Sequence, residues 1–194
     1  MKTFLPLFVS MCAVLLVVAG CKTSRKGSES APYRVVSRDG KFELRDYPAL
    51  AVVETAMGTD SGSSFQRLFR YISGGNAAEQ KIPKTTPVFM GVGESRRSMS
   101  FVLPEDMKSA PAPKDPAIRL VSIPAGRFAV FGFSGSRSSR AEEDALQKLL
   151  SWMTTNGLAS SEEPVFGYFD PPWTPSFLRR NEVMLRVESR ASGN

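Results

Sequence analysis

The residue types that most enzymes use for proton transfer and metal binding are sparse in this chain. Its 194 residues include no histidine and two cysteines, Cys12 and Cys21. Catalysis by Ser-His-Asp or Cys-His groups, zinc held by histidine and haem iron held by a proximal histidine are therefore excluded. The sequence contains no motif of paired catalytic carboxylates. It contains no phosphate-binding loop either, because Gly91-Val92-Gly93 is not followed by the pattern of a strand-helix unit. The sequence predicts a binding protein rather than an enzyme, and no metal site.

Two carboxylates within predicted strands are candidates for binding a cationic ligand. A carboxylate in an apolar cavity attracts a cation, because pairing relieves the cost of its own desolvation. Glu54 and Glu182 are the candidates, and alternation places Glu54 on the same strand face as Leu50 and Val52. A solvated strand face is the favoured interpretation for Glu54. Binding of an amphipathic cationic small molecule therefore stays an alternative.

Composition indicates one folded domain and no nucleic-acid partner. Hydrophobic residues make up 42% of the chain, which is enough for a core, and 25 basic against 19 acidic residues give a net charge of +6. The positive charges are scattered, and no short window is a basic block of the kind that binds nucleic acid. Net charge alone therefore names no partner.

The N-terminus has the pattern of an export signal. Met1-Lys2 precedes an apolar run from Phe4 to Ala19, and residues 1–20 are predicted to be a signal peptide. The ending Val18-Ala19-Gly20-Cys21 resembles the lipobox of bacterial lipoproteins, in which the cysteine is acylated, for example by palmitate, and becomes the new N-terminus. Residues 21–32 are then a lipidated cysteine and a flexible tether to the membrane. Lys22 resembles the outer-membrane sorting pattern of enteric bacteria, so we expect the cell envelope, on the periplasmic side of the outer membrane.

An internal repeat divides the rest of the chain into two halves. Pro87-Val88-Phe89 recurs as Pro164-Val165-Phe166, an offset of 77 residues, and the order of predicted elements recurs with it. The first half is predicted to hold strands at 42–45, 50–57, 87–92 and 98–103. The second half is predicted to hold strands at 118–123, 127–133, 165–169 and 182–187.

Each half also contains one predicted helix. Phe65, Leu68, Phe69 and Ile72 have i, i+3, i+4, i+7 spacing, with Asp60 or Ser61 as N-cap and Gly74-Gly75 as the stop. The second helix is predicted over 139–156, with Ser139 and Glu142 at capping-box spacing and Gly157 at its end.

These elements predict an α+β fold. Two pseudo-symmetric ββαββ halves with short turns form a twisted, barrel-like, mostly antiparallel sheet of about eight strands with two helices. The domain is expected over residues 33–190, followed by a short tail, 191–194. Residues 128–133 are apolar on both faces, which predicts a central strand covered by a helix on one side and facing an interior on the other.

Several stretches of the chain together resemble the SOUL haem-binding family. The similarity covers roughly Glu43 to Val187, and its most specific part is Tyr168-Phe169-Asp170-Pro171-Pro172-Trp173-Thr174-Pro175 followed by Arg179-Arg180-Asn181-Glu182-Val183. Weaker matches are Phe42 to Ala49, Phe69 to Asn76, Met99 to Pro104 and Phe131 to Gly135. The family's fold is a pair of pseudo-symmetric halves, similar to the effector domains of bacterial multidrug-sensing regulators.

The resemblance implies binding of haem or another tetrapyrrole between the first helix and the loop before the last strand. Here the axial histidine proposed for the family cannot exist, and the positions expected to be basic are Ser63 and Thr174. Lys84 also stands where an apolar residue is expected. The implied binding is therefore non-covalent and without histidine ligation, and a membrane-tethered interaction module with a vestigial ligand site stays an alternative.

A tetrapyrrole is a flat apolar disc with carboxylates, so its site needs apolar walls and cations at one rim. The helix offers Phe65, Leu68 and Phe69 as one wall. The Pro-rich loop offers Trp173 and Phe177 as the other, with Arg179 and Arg180 for the carboxylates. The same residues also have structural interpretations: the helix stripe packs on the sheet, Trp173 locks the loop, and the two arginines pair with Glu182.

Overall fold

The computed structural model describes residues 29–58, 60–91, 97–107 and 109–188. The predicted signal peptide, Cys21, the tether up to residue 28 and the tail 191–194 lie outside the described residues. Within these ranges no helix is long and apolar enough to cross a membrane.

The order of elements matches the predicted repeat, with three further strands and a 3-10 turn. Two of the added strands lie near the N-terminus, β1 (Glu29–Ser30) and β2 (Arg34–Asp39), and the third is the two-residue β5 (Thr85–Thr86). The first half then comprises β3 (Phe42–Tyr47), β4 (Leu50–Ala56), α1 (Ser61–Ile72), β5 (Thr85–Thr86), β6 (Val88–Gly91) and β7 (Ser98–Val102). The second half comprises β8 (Ile118–Ile123), β9 (Gly126–Phe133), α2 (Ser139–Thr155), β10 (Val165–Tyr168), a 3-10 turn (Ser176–Leu178) and β11 (Asn181–Arg186).

Nine of the strands form one curled antiparallel sheet, a half-barrel. Its order is β2-β3-β9-β11-β10-β6-β7-β4-β8, so β2 and β8 are the edge strands. The α+β class and the two helices are confirmed, and the ninth strand is β2, which pairs with β3 and was not predicted. Strand β9 lies between β3 and β11, which confirms its predicted central place.

The helix boundaries follow from their caps. The Asp60 carboxylate accepts the backbone N–H groups of Gly62 and Ser63 at 2.8 and 3.0 Å, which satisfies otherwise unpaired donors at the start of α1. The predicted cap of α2 is wrong by one residue, because the hydroxyl of Ser138, not Ser139, accepts the Ala141 N–H at 3.2 Å. The expected capping box fails for the same reason.

Both helices cover the same, outer face of the sheet. The α1 cluster contains Leu68, Tyr71 and Phe101, and the α2 cluster contains Leu149 and Val183. Tyr168 of β10 packs against both clusters. The Tyr168 hydroxyl donates a hydrogen bond to the Glu142 carboxylate. Glu142 therefore accepts a hydrogen bond from Tyr168 instead of taking part in the predicted capping box.

The concave inner face holds a third cluster, which the N-terminal segment helps to close. Ala31 and Tyr33 pack there with side chains from six strands: Tyr47, Leu50, Val52, Phe89, Val102, Phe128, Val130 and Met184. The segment is fixed by the parallel pairing of Glu29–Ser30 with Thr85–Thr86 and by a 2.8 Å hydrogen bond from Ala31 N–H to the Thr86 carbonyl. Residues 29–31, which were predicted to belong to the tether of residues 21–32, are therefore part of the fold.

Candidate functional site

The outer surface of α1 carries a pair of stacked aromatic rings. Phe65 and Phe69, four residues apart and so on one helix face, have ring centroids 6.0 Å apart and an interplanar angle of 12°. Phe65 anchors the pair by an edge contact with Phe101 at 5.3 Å, and Phe69 is 43% exposed. The third predicted residue of this wall is wrong, because Leu68 is fully buried in the α1 cluster and cannot contact a ligand.

Lys84 places a cation at the edge of this ring pair. Its ammonium nitrogen lies 5.4 Å from the centroid of Phe65. Partial burial lowers the pKa of Lys84 below its usual range, and Lys84 has no ion pair in the described part of the chain. An acidic group placed here would relieve that desolvation. Lys84 was not among the site residues predicted from the sequence, although a lysine at a position where an apolar residue is expected was a signal for it.

The loop between β10 and β11 exposes the second predicted wall. Trp173 is 82% exposed, Phe177 75% and Leu178 57%. The loop is nevertheless fixed, because the Arg179 guanidinium donates to the carbonyls of Pro172 and Thr174. Among the described residues, no ring contact joins Trp173 or Phe177 to the α1 pair.

Arg180 and Glu182 belong to a buried charge network. The Arg180 guanidinium donates to Glu182, at 3.0 Å from Nε, and lies over the ring of Phe169, so the predicted pairing of Arg180 with Glu182 is confirmed. Arg45 binds the same carboxylate with two hydrogen bonds of 2.8 and 2.9 Å. Burial alone would raise the pKa of Glu182, but the hydrogen bonds and charge of Arg45, with the charge of Arg180, hold it below its usual range.

Beside this network lies a cleft of about 390 Å³ between the β2–β3 turn, the end of β9 and the loop. Its lining includes five cations and two carboxylates: Arg38, Lys41, Arg45, Arg179 and Arg180 against Glu43 and Glu182. The cleft is therefore positive. The cleft brings together three separate parts of the chain, among them Arg45 and Glu182, which are 137 residues apart, and no local pattern in the sequence signals it.

Glu54 is buried, which corrects the expectation of a solvated strand face. It is 6% exposed, and its carboxylate accepts hydrogen bonds from Arg119 at 2.9 Å and from the Ser100 hydroxyl at 3.3 Å. Both carboxylates considered for binding a cation therefore have arginine partners within the chain.

The curled antiparallel sheet with two helices on one face defines a known fold. The crystal structure of the EcmrR C-terminal domain shares it with a TM-score of 0.57 and 17% identity, covering 81% of this chain and 98% of that one. A hydrolase from Listeria innocua shares it with a TM-score of 0.58 and 10% identity, covering 79% and 94%. At these identities the similarity shows the fold alone.

The sequence comparison gives the family. A family model described as SOUL heme-binding protein matches residues 28–186, and the chain belongs to this family. Human Heme-binding protein 2 is 28% identical over 170 residues, covering 80% of this chain and 82% of the relative. The family is one of binding proteins, which supports a tetrapyrrole as the small-molecule partner.

Proposed function

We propose that this chain is a lipoprotein, anchored in the cell envelope through Cys21, that binds haem or a related tetrapyrrole non-covalently and without histidine ligation. Family membership supports the ligand class. The absence of histidine from the whole sequence supports the mode of binding. The apolar run before Cys21 supports the anchor.

The observation that carries the proposal is the exposed ring pair of α1 with Lys84 beside it. The flat face of a tetrapyrrole fits against Phe69, whose ring stands on Phe65, and a carboxylate at its rim pairs with the Lys84 ammonium. When bound, haem supplies a redox-active iron centre, and this chain offers that iron no imidazole. Trp173 and Phe177 as a second wall stay a prediction.

A haemin titration of residues 22–194, which include the whole matched domain, tests the ligand. We expect saturation at one equivalent, followed by the Soret band. Phe69→Ala and Lys84→Gln should each weaken binding about tenfold, the equivalent of about 1.4 kcal/mol, because each removes one contact with the ligand. Leu150→Ala is the matched control, since Leu150 lies on α2 and its exposed fraction, 39%, is close to the 43% of Phe69.

Trp173→Ala in the same titration tests the predicted second wall, and Trp152→Phe leaves Trp173 as the only tryptophan whose fluorescence can be quenched. Weaker binding of haemin by Trp173→Ala supports the loop as a wall, and unchanged binding removes it from the site. Unsaturable binding, or equal effects of Phe69→Ala and Leu150→Ala, would contradict the α1 site and favour the tethered interaction module.

Metabolic labelling with palmitate in a bacterial host tests the anchor. We expect label in the full chain and none in Cys21→Ala, because the acylated sulfur is lost. The labelled protein should sediment with membranes, and the Cys21→Ala chain should not be cleaved before residue 21. Equal labelling of both chains would overturn the lipoprotein assignment.

A further inference from the structure

The apolar surface of the described residues is concentrated in one short stretch. Trp173, Phe177 and Leu178 are the three most exposed large apolar side chains, and the next, Phe69, is 43% exposed. The stretch is held by its own hydrogen bonds, including the 3.0 Å bond from Gly135 N–H to the Ser176 carbonyl. The exposure is therefore a fixed feature of the fold. A fixed cluster of this kind marks a surface that meets an apolar partner.

Cations flank this cluster. Leu178 lines the positive cleft together with Arg38, near the end of β2, and Lys41, in the β2–β3 turn, and both basic residues are exposed. Lys41 makes no ion pair across the described ranges, and Arg38 contacts Glu43 with its side chain still 64% exposed. Exposed aromatic and aliphatic side chains beside basic ones are the composition of surfaces that bind anionic lipid.

The described chain begins at the same end of the sheet. Glu29–Ser30 pairs with Thr85–Thr86, which leads into β6. The first residue of β6, Val88, lies opposite Tyr168, the last residue before the loop. The eight residues from Cys21 to Glu29 span at most about 28 Å when extended. An N-terminus fixed to a bilayer therefore holds this end of the sheet close to the lipid.

We propose that the loop face, defined as Trp173, Phe177, Leu178, Arg38 and Lys41, docks on the surface of an anionic phospholipid bilayer. Trp173 and Phe177 lie in the interfacial layer, where an indole ring is favoured, and Lys41 and Arg38 pair with lipid phosphates. This inference rests on the proposed anchor at Cys21 for the nearness of this face to a bilayer, and it does not depend on tetrapyrrole binding.

Vesicle co-sedimentation of residues 22–194, which lack Cys21 and so carry no lipid, tests the docking. Vesicles of phosphatidylcholine alone are compared with an equal mixture of phosphatidylcholine and phosphatidylglycerol, in the absence of tetrapyrrole. We expect binding to the anionic vesicles, weakened by salt, and little to the neutral ones. In a Trp152→Phe background, Trp173 fluorescence should shift to shorter wavelength on binding.

Two variants outside the proposed tetrapyrrole site are the critical ones. Lys41→Gln should lower the partition coefficient about fivefold, and Leu178→Ser by a similar factor. Their matched controls are Lys148→Gln on α2 and Leu120→Ser on β8, where Leu120 is 42% exposed. Both controls should leave binding unchanged.

Equal binding to the two kinds of vesicle, or equal effects of the loop-face variants and their controls, would overturn the docking face. Thermal unfolding of each variant shows whether it is folded, and only variants with an unchanged transition are compared. A haemin titration without vesicles is the separate readout for the proposed function. If the parent chain binds haemin but does not bind the anionic vesicles, this inference alone is overturned.

Discussion

The inner face of the sheet carries two buried carboxylates whose charges are compensated in different ways. Glu182 and Glu54 lie on one transverse row of cross-strand partners, Glu182, Gly167, Phe89, Ser100 and Glu54. The side chains of Glu182 and its partner Arg45 are 3% and 4% exposed. Those of Glu54 and its partner Arg119 are 8% and 60% exposed. One pair is thus buried entirely, whereas the other reaches water through its arginine.

The cross-strand neighbours explain this difference. Glu182 lies on a central strand, opposite Gly167 on β10 and Gly132 on β9, and its arginine partners, Arg45 on β3 and Arg180 just before β11, reach it within the interior of the sheet. Glu54 lies directly opposite Arg119 on β8, which is an edge strand, so that arginine can extend into solvent. A buried charge needs a full set of hydrogen bonds, whereas a charge near an edge shares its compensation with water.

The largest expected effect comes from removing the buried partner. Arg45→Ala leaves the Glu182 carboxylate with Arg180 alone and also removes the 2.6 Å hydrogen bond to Glu43. We expect the free energy of unfolding in urea to fall by about 3 to 5 kcal/mol, because an incompletely compensated charge stays buried. A loss below about 1 kcal/mol would show that the buried pair behaves like a surface pair.

An intermediate effect is expected from acid. The pKa of Glu182 is lower in the folded chain than its ordinary value of 4.5. Its ionised form therefore stabilises the fold at higher pH, and this contribution is lost as the pH falls through the lowered folded pKa. Glu182→Gln removes this titration, so the unfolding free energy of the variant should depend less steeply on pH below 4.5 than that of the parent chain.

Asp46 provides the matched control for the acid experiment. Its pKa is also lowered, chiefly by the hydrogen bond from Arg127, but its side chain is 28% exposed. Asp46→Asn should therefore reduce the acid dependence less than Glu182→Gln does. Equal slopes for the two variants would contradict the distinction between the buried and the exposed network.

The smallest effect is expected at the edge. Arg119→Ala removes the 2.9 Å hydrogen bond from Arg119 to the Glu54 carboxylate, on the side where the arginine is exposed and water can take its place. We expect the free energy of unfolding to fall by no more than about 1 kcal/mol. A loss comparable with that of Arg45→Ala would mean that Glu54 is as dependent on its arginine as Glu182.

Local patterns were sufficient for most of the secondary structure. Strand β8 has the predicted bounds Ile118–Ile123, and Asp60 caps α1 as one of the two expected residues. The i, i+3, i+4 pattern of α1 was less informative. Phe65, Leu68 and Phe69 all fit it, but how deeply each side chain is buried depends on its contact with the sheet. Leu68 points into the core and Phe69 points out, a distinction that periodicity alone does not make.

Charged residues were harder to predict than elements. The alternation of side chains along β4 placed Glu54 on the same face as Val52. It could not show that the sheet curls so strongly that this face is buried. The capping box of α2 is absent because Ser138, one residue before the predicted cap, caps the helix, and the Glu142 carboxylate accepts a hydrogen bond from Tyr168 of β10. The curl of the sheet decided the first case, and a one-residue shift of the helix start decided the second.

The sequence by itself determined the repeat of elements, the family and the absence of a histidine ligand, because periodicity, turns and composition are properties of near neighbours or of the whole chain. The tertiary structure decided which charges meet. Arg45 and Glu182 are 137 residues apart, and the Lys84 ammonium, in the segment between α1 and β5, lies near the ring of Phe65 on α1. Burial and pairing depend on the curl of the sheet and on the strand order, which no short stretch of sequence contains.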